Sequence, residues 1–425
     1  MRIAIFTNNY LPNPYGVTQS IESFRRQFEK QGHQVFVFAP HYKNYGDSNP
    51  KVFRYPALDI EFKIKFPLAI PYSCRMNKIL ENLKIDIIHS QHPNLLGTVA
   101  LKWAKRKNIP IVFTWHTLYD QYAHFVPLIP AKWVARHIIK KAANYANKCD
   151  FVITPTESVK NIIQNWGVKN KNIEAVSTGV DVENFVSPDG KVIRDKYGIK
   201  DSEVLLLLVS RLTKEKNVEF ILDSLIPILN LEKKLNPPSS DEEGVGGGVD
   251  NEYFQHPSVT RRDTSPHLRG GGLPVVKFLI TGDGDLLPKL KETVKINNLE
   301  DKIIFEGVVG RGEIKNYYAA GDIFVYASRS ETQGMIITEA MYAGLPIVAV
   351  DAPGICDLVE NDKNGILVAE DKLEFAGAVE KLIQDKSLRD KMGDEGAKAA
   401  REKYTDKICA GKMLALYERL LAEHK

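Results

Sequence analysis

Ser328-Arg329-Ser330-Glu331-Thr332-Gln333-Gly334-Met335-Ile336-Ile337-Thr338-Glu339-Ala340-Met341-Tyr342-Ala343-Gly344-Leu345-Pro346 reads as a polar turn running into a helix. The apolar run Ile323 to Ala327 before it predicts a strand, and the helix begins near Gly334 and closes at Gly344. A second strand, Pro346 to Val350, follows at once; a strand feeding a helix that returns to a strand is the unit of a parallel sheet with helices on its faces. Glu331 falls on the turn and Glu339 lies inside the helix by more than one turn. Free amides at such a helix start attract an anion, and Gly334 lets a ligand approach the backbone closely. A carboxylate before the helix and another within it can hold hydroxyl groups on either side of a bound phosphate. Taken singly, Glu331 reads better as a carboxylate favoured by the helix dipole and Glu339 as a solvated helix residue; the motif is specific only in its whole context.

The same alternation runs outward in both directions. Downstream and immediately upstream, strands are expected at Val204 to Ser210, Val275 to Thr281, Lys302 to Phe305 and Gly365 to Val368. Further upstream they are expected at Ile3 to Thr7, Gln34 to Ala39, Val52 to Tyr55, Ile85 to Ser90, Pro110 to Thr114 and Phe151 to Thr154, with helical segments between them. Val17, Ile21, Phe24 and Phe28 share one helical face ahead of a stop at Gly32. The pattern is therefore two α/β units in series, each a doubly wound parallel sheet. Within the second unit, between the helix beginning at Asn217 and the strand at Val275, Gly and Pro make up 12 of the 40 residues from Leu235 to Pro274, a low-complexity surface insertion that cannot form a core and reads as disordered or loosely held.

A chain of 425 residues with 44% apolar and 26% charged residues can bury two cores of ordinary size. No run approaches the 18 or so apolar residues of a membrane-spanning helix. The opening Met1 to Tyr10 turns polar after a short apolar run and reads as a first strand, not a signal peptide. Cys74, Cys149, Cys356 and Cys409 have no paired spacing, which argues against a disulfide framework or a cysteine zinc site and for a cytoplasmic protein. Residues 1–190 carry 24 Lys and Arg against 14 Asp and Glu, while residues 191–425 carry 33 against 39. The first half is thus positive and the second negative, which suits a first half that faces an acidic partner, either a membrane surface or a phosphorylated ligand. The alternative is that these lysines only solvate helix faces.

With the strand before it and Ala-Met-x-Ala-Gly-x-Pro after it, the pair Glu331 and Glu339 resembles the signature of the retaining glycosyltransferases of family four. That resemblance implies the GT-B fold, two Rossmann-like domains facing a central cleft. It implies an acceptor-binding domain over residues 1–183, a nucleotide-sugar-binding domain over 184–404 that carries the insertion, and a last segment, 405–425, crossing back to the first domain. Ser210-Arg211-Leu212-Thr213-Lys214-Glu215-Lys216-Asn217 resembles the family motif whose Arg and Lys bind the donor diphosphate, so Arg211 and Lys216 are expected on the anion. Gly282-Asp283-Gly284 and Glu306-Gly307-Val308-Val309 resemble turns near the donor nucleotide, which places Gly282 and Val308 in the donor set with Gly334, Met335, Ile336 and Ile337. Asn13-Pro14-Tyr15-Gly16-Val17 occupies the place of a glycine loop, with Tyr15 where many members have a second glycine, so Gly16 alone is carried over. Phe113-Thr114-Trp115-His116-Thr117 resembles the family's cleft-facing His motif.

Ser90 to Gly97 and His116 to Pro127 look like segments of bacterial 1,2-diacylglycerol 3-glucosyltransferases of this family. Tyr119 and Tyr122 would then face the acceptor. Lys132-Trp133-Val134-Ala135-Arg136-His137-Ile138-Ile139-Lys140-Lys141 interleaves apolar residues with cations at helical period. Lys132, Trp133, Arg136, Lys140 and Lys141 are expected to meet anionic lipid on the inner face of the cell membrane, the competing reading being a helix packed on the sheet with only its lysines in water.

The expected chemistry is transfer of a hexose, UDP-glucose being the favoured donor, to a lipid or glycan hydroxyl. On that resemblance Arg211, Lys216 and the amides around Ile336 and Ile337 would stabilise charge on the departing phosphate, Glu331 would hold the donor sugar or stabilise its developing charge, Glu339 would bind the ribose, and His116 would position the sugar or acceptor. No cofactor is expected, and without an Asp-x-Asp or a His cluster no metal is required. A dinucleotide oxidoreductase would need Gly-x-Gly-x-x-Gly after a strand, which neither Thr7 to Gly16 nor Thr281 to Leu286 supplies. A silent nucleotide-sugar-binding scaffold is the remaining rival, and no nucleic-acid module is recognised.

Overall fold

A computed structural model describes residues 1–13, 15–58, 67–119, 131–235, 274–329 and 331–424, without the side chains of 131–132 and 231–235. The first lobe runs β1 (Arg2–Phe6), α1 (Gly16–Lys30), β2 (Gln34–Pro40), β3 (Val52–Tyr55), β4 (Ala57–Leu58), β5 (Leu68–Ala69), α2 (Cys74–Asn82), β6 (Ile87–Ser90), α3 (Leu96–Lys107), β7 (Ile111–Thr114), α4 (Ala131–Ala146), β8 (Phe151–Thr154), α5 (Glu157–Asn165) and β9 (Ile173–Ala175). Seven of these strands form one parallel sheet in the order β3-β2-β1-β6-β7-β8-β9, and β4 pairs with β5 separately. Strand residues alternate between two buried faces. Ile3 and Ile5 join the cluster under α1, while Ala4 and Phe6 join the cluster of α2 to α5. Burial on both faces explains why these strands are apolar throughout.

The second lobe continues with α6 (Gly190–Lys196), β10 (Val204–Val209), α7 (Val218–Leu235), β11 (Val276–Thr281), α8 (Leu287–Ile296), β12 (Ile303–Gly307), α9 (Ile314–Ala320), β13 (Ile323–Tyr326), α10 (Met335–Tyr342), β14 (Ile347–Val350), β15 (Gly365–Val368), α11 (Lys372–Gln384), α12 (Lys386–Lys403) and α13 (Asp406–Glu423). Its parallel sheet has the order β12-β11-β10-β13-β14-β15. In both sheets the strand order reverses beside the first strand, and ligands of open α/β sheets bind at that switch point, beyond the C-terminal strand ends. The switch points lie between β1 and β6 in one lobe and between β10 and β13 in the other.

Two Rossmann-like sheets stand where the alternation places them, with ends shifted by two residues or fewer from expectation. Strands β4, β5 and β9 were not foreseen. β4 and β5 have two residues each, and β9 buries only Ile173, so none carries a period. The last helix, α13, packs on the first sheet: Cys409, Ala410, Met413, Tyr417 and Leu420 share a core with Ile21, Phe24 and Phe28 of α1. Thr405 starts it by bridging to Val180, and Gln27 Nε2 donates to Asp406 Oδ2 at 2.6 Å. Residues 236–273 of the expected insertion lie outside the described residues, as do Tyr122 and the side chain of Lys132. Among the described residues no helix is long and apolar enough to cross a membrane. The four cysteines are free, Cys149 and Cys409 buried and Cys74 and Cys356 exposed.

Candidate active site

At the second switch point the loop after β10 meets the loop after β13. Asn217, in the left-handed region at φ 55°, turns the first loop into α7, and Arg329 N donates to Glu215 O at 3.0 Å to sew the two loops together. This brings the Lys216 ammonium onto the Glu331 carboxylate, an ion pair whose two side chains are each only 13% exposed. Tyr326, the last residue of β13, donates its phenol to the same carboxylate. Burial pushes the Glu331 carboxyl up, but the Lys216 charge and hydrogen bond, with those of Tyr326 and Ser328, outweigh it and hold the group below the usual carboxylate value.

Glu339 is treated oppositely. Five residues into α10 and beneath Tyr318, whose OH donates to its Oε2 at 2.9 Å, it is raised above the usual value, chiefly by burial and also by the charge of Asp181. Lys216 thus neutralises one carboxylate and burial favours the neutral form of the other.

Gly334 begins α10 at φ 72°, with no side-chain cap and no acid in the first turn. The amides of Met335 and Ile336 therefore point past the helix start with no acceptor inside it. The Ile337 amide, expected among the donor contacts, donates to Gly334 O at 2.9 Å, and its side chain is wholly buried in the core. Arg211 reaches Glu215 Oε1 at 3.0 Å and remains 51% exposed. Its guanidinium also lies 5.8 Å from the centre of the Tyr15 ring in the opposite lobe. Gly282 backs directly onto Ser210, and Leu212 N donates to Asp283 O at 2.9 Å, so the turn after β11 sets the backbone of Arg211. Val308 follows Gly307 past the end of β12 and is 79% exposed on the same rim.

Across from these groups, Gly16 opens α1, again without a side-chain cap, and a Cβ there would meet nothing within 4 Å. His116 follows β7 by two residues, and its Nε2 lies 2.6 Å from Gln91 Oε1. A carbonyl oxygen only accepts, so Nε2 carries the proton and Nδ1 of the neutral ring is an acceptor. Two further histidines, His89 and His92, gather with it at the end of β6. His92 Nδ1 accepts from Asn8 N at 3.1 Å, and His89 lies between Thr114 Oγ1 at 2.6 Å and the Tyr417 OH at 2.5 Å. Among the described residues no group of three or more His, Cys, Asp or Glu is arranged to hold a metal.

Burial depresses all three rings, to about 3 for His89, about 4 for His92 and about 3 for His116, whose neighbours His92 and His89 add to the effect. Each ring is thus neutral in the folded protein at pH values where the unfolded chain, titrating near 6.5, takes up a proton. Stability is full above pH 6.5 and falls as the pH drops towards 4, by about 1.4 kcal/mol per pH unit for each ring. Denaturant midpoints measured from pH 7 to pH 5 should fall steeply, and a flat profile would contradict neutral histidines.

Lys216, Glu331, Glu339 and His116, the candidates the sequence offers, are supported by Gln91, Tyr318 and Tyr326, which it does not offer. Gln91 had a signal, as the residue just past a strand end. The tyrosines did not, because each lies within a strand or helix that reads as core. Tyr119 packs edge-on against Trp115 at 5.6 Å between ring centres and is half-buried. On α4, Trp133, Arg136, Lys140 and Lys141 are exposed, Trp133 by 76%, while Ala142, Ala143, Tyr145 and Ala146 are buried against the sheet. The helix is therefore half of each alternative, its second half packed and its first half presenting tryptophan and cations outward.

The lobes touch directly: Thr332 Oγ1 donates to His116 O at 3.2 Å and Thr156 Oγ1 to Thr332 O at 2.9 Å. Two Rossmann-like lobes joined strand end to strand end, with a cationic, amide-lined switch point on one side, have the architecture of GT-B glycosyltransferases, and this chain is one. Residues 14–184 match the model of Glycosyltransferase Family 4, and residues 266–399 match that of Glycosyl transferases group 1. The chain belongs to glycosyltransferase family four and is a hexosyltransferase. It is 28% identical over 388 residues to alpha-monoglucosyldiacylglycerol synthase of Streptococcus pneumoniae, covering 89% of this chain and 77% of the relative. It is 27% identical over 377 residues to the protein of the same name from Acholeplasma laidlawii, with 86% and 84% covered. The fold is shared with Anabaena HepE, solved in complex with UDP and glucose, at a TM-score of 0.71 and 17% identity over 99% of this chain and 100% of that one.

Proposed function

We propose that the protein transfers glucose from UDP-glucose to the hydroxyl of a membrane lipid such as diacylglycerol, with retention of configuration. The observation that carries the transfer is the Lys216–Glu331 pair seated beside the uncapped start of α10. As the glycosidic bond breaks, negative charge grows on the departing diphosphate; Lys216, Arg211 and the Met335 and Ile336 amides stabilise it. The leaving phosphate takes the acceptor's proton on the same face of the sugar, so no side-chain nucleophile is needed. Glu331 orients the sugar, Glu339 accepts from the ribose hydroxyls, and His116 presents Nδ1 to a sugar or acceptor hydroxyl. The same contacts between the lobes exclude water from the reacting centre.

The lipid acceptor is supported by the names of the relatives and by the exposed half of α4. Trp133, Arg136 and Lys140 are spaced to share a helical stripe that can lie on an anionic surface. Replacing Arg136 and Lys140 by serine should weaken partitioning into anionic vesicles roughly thirtyfold, at about 1 kcal/mol per cation. Vesicle sedimentation measures this, and equal partitioning of native and variant protein would remove α4 from the membrane contact.

The deciding experiment is transfer from radiolabelled UDP-glucose to liposomes containing diacylglycerol, repeated with UDP-galactose and GDP-mannose. Labelled lipid from UDP-glucose alone is expected. Product formed only on water-soluble sugars would overturn the lipid assignment and leave the transferase standing.

A further inference from the structure

Only Thr332 and Gln333 separate Glu331 from Gly334. Both are held by the opposite lobe. Thr332 exchanges hydrogen bonds with Thr156 and His116, as described. Gln333, 5% exposed, uses both ends of its amide on one peptide residue of the first lobe: Thr178 N donates to its Oε1 at 2.7 Å, and its Nε2 donates to Thr178 O at 2.5 Å. Thr178 is in turn tied to α1, its Oγ1 lying 2.7 Å from Ser20 Oγ. Helix α1 and the turn into α10 are thereby joined through Thr178.

The loop is also backed by a residue of its own lobe that itself reaches across to the other. Gly354 presses on it from behind, where a Cβ would lie 2.8 Å from Glu331 O, and Gly354 N itself donates to Ser158 Oγ of the first lobe at 2.9 Å. Ser158 N donates to Asp357 Oδ1 at 3.0 Å beside it. Without Gln333 the buried amide and carbonyl of Thr178 lose their partners, which the closed arrangement cannot replace with water.

We propose that Gln333 is a positioning residue: by pairing with Thr178 it latches the two lobes together and holds the Glu331 to Ile336 loop in the geometry that receives the donor diphosphate. This rests on the transferase reading above and adds to it a residue that touches no substrate. Donor binding is then strengthened because the receiving conformation is already populated, and loss of the latch lowers affinity by the fraction of molecules that open.

Full-length native protein, Gln333→Ala and Thr156→Val are compared by calorimetric titration with UDP and by small-angle X-ray scattering without ligand, at a temperature where circular dichroism shows all three folded. Gln333→Ala should bind UDP about tenfold more weakly and show a larger radius of gyration than the native protein; Thr156→Val should move both in the same direction, about threefold in affinity. Native affinity in Gln333→Ala, or weakened affinity with unchanged scattering, overturns the latch. If Gln333→Ala does not fold, Thr156→Val decides by the same two readouts. If the native protein binds neither UDP nor any sugar nucleotide, the proposed donor reading fails, and the scattering comparison alone then judges the latch.

Discussion

Lys216→Met is expected to lower kcat/KM for transfer by about 10²- to 10³-fold, the size of effect seen when one preorganised group that stabilises transition-state charge is removed. Two losses combine. The departing diphosphate loses a cation at the second switch point, and Glu331, buried and ionised, loses the partner that keeps it so. Breaking a buried ion pair from one side costs about 3–5 kcal/mol unless the orphaned carboxylate takes up a proton. The two effects separate in a double-mutant cycle with Glu331→Gln. The double variant removes the buried charge as well as its partner, so its denaturant midpoint should recover most of the stability lost in Lys216→Met, while activity stays low. Retention of kcat/KM within threefold in the single variant would mean that Lys216 is a structural partner of Glu331 and nothing more.

Gly282→Ala should destabilise the fold by about 3 kcal/mol or more, the range of core clashes and forced backbone strain combined. At φ 123° an L side chain is strained whatever the space, and here there is none: the added Cβ would fall 1.8 Å from Ser210 O and 2.8 Å from its carbonyl carbon. Neither atom can retreat, since Ser210 N donates to Thr281 O at 3.0 Å and the following turn is pinned through Leu212 and Asp283. The backbone of Arg211 would be displaced with them, so donor affinity should fall even where the protein folds. Gly310→Ala is the control, because a Cβ there meets nothing within 4 Å. Urea midpoints that agree for the two variants would show that the turn after β11 is softer than its contacts imply.

Much of the fold was legible because a parallel strand covered on both faces must be apolar along its whole length, and the helices between such strands must show one apolar stripe. Val204 to Ser210 and Ile323 to Ala327 could be nothing else. Short edge strands such as β9 escape that rule, since a residue like Glu174 on the rim of a sheet faces water. Among the candidate site residues, those carrying charge near a strand end stand out in the sequence: Arg211, Lys216 and Glu331 lie in polar turns between apolar runs, where nothing in the core calls for them. The internal bond of the Ile337 amide was not legible, because position relative to a helix start does not tell whether a given amide is already used within the first turn.

Residue order alone thus settled that there are two doubly wound sheets, where each switch-point loop begins, and which loops carry cations, acids and glycines. Periodicity and turn chemistry act over a few residues, and those few residues are contiguous. Which loop touches which was left to the packing of the lobes. Glu331 lies 115 residues from Lys216, and Gln333 lies 155 from Thr178. Pairing over such distances depends on strand order, hinge angle and the return of α13 to the first sheet, none of which leaves a local pattern. The opposite charge preferences of Glu331 and Glu339 likewise follow from burial and from partners that folding alone brings within reach.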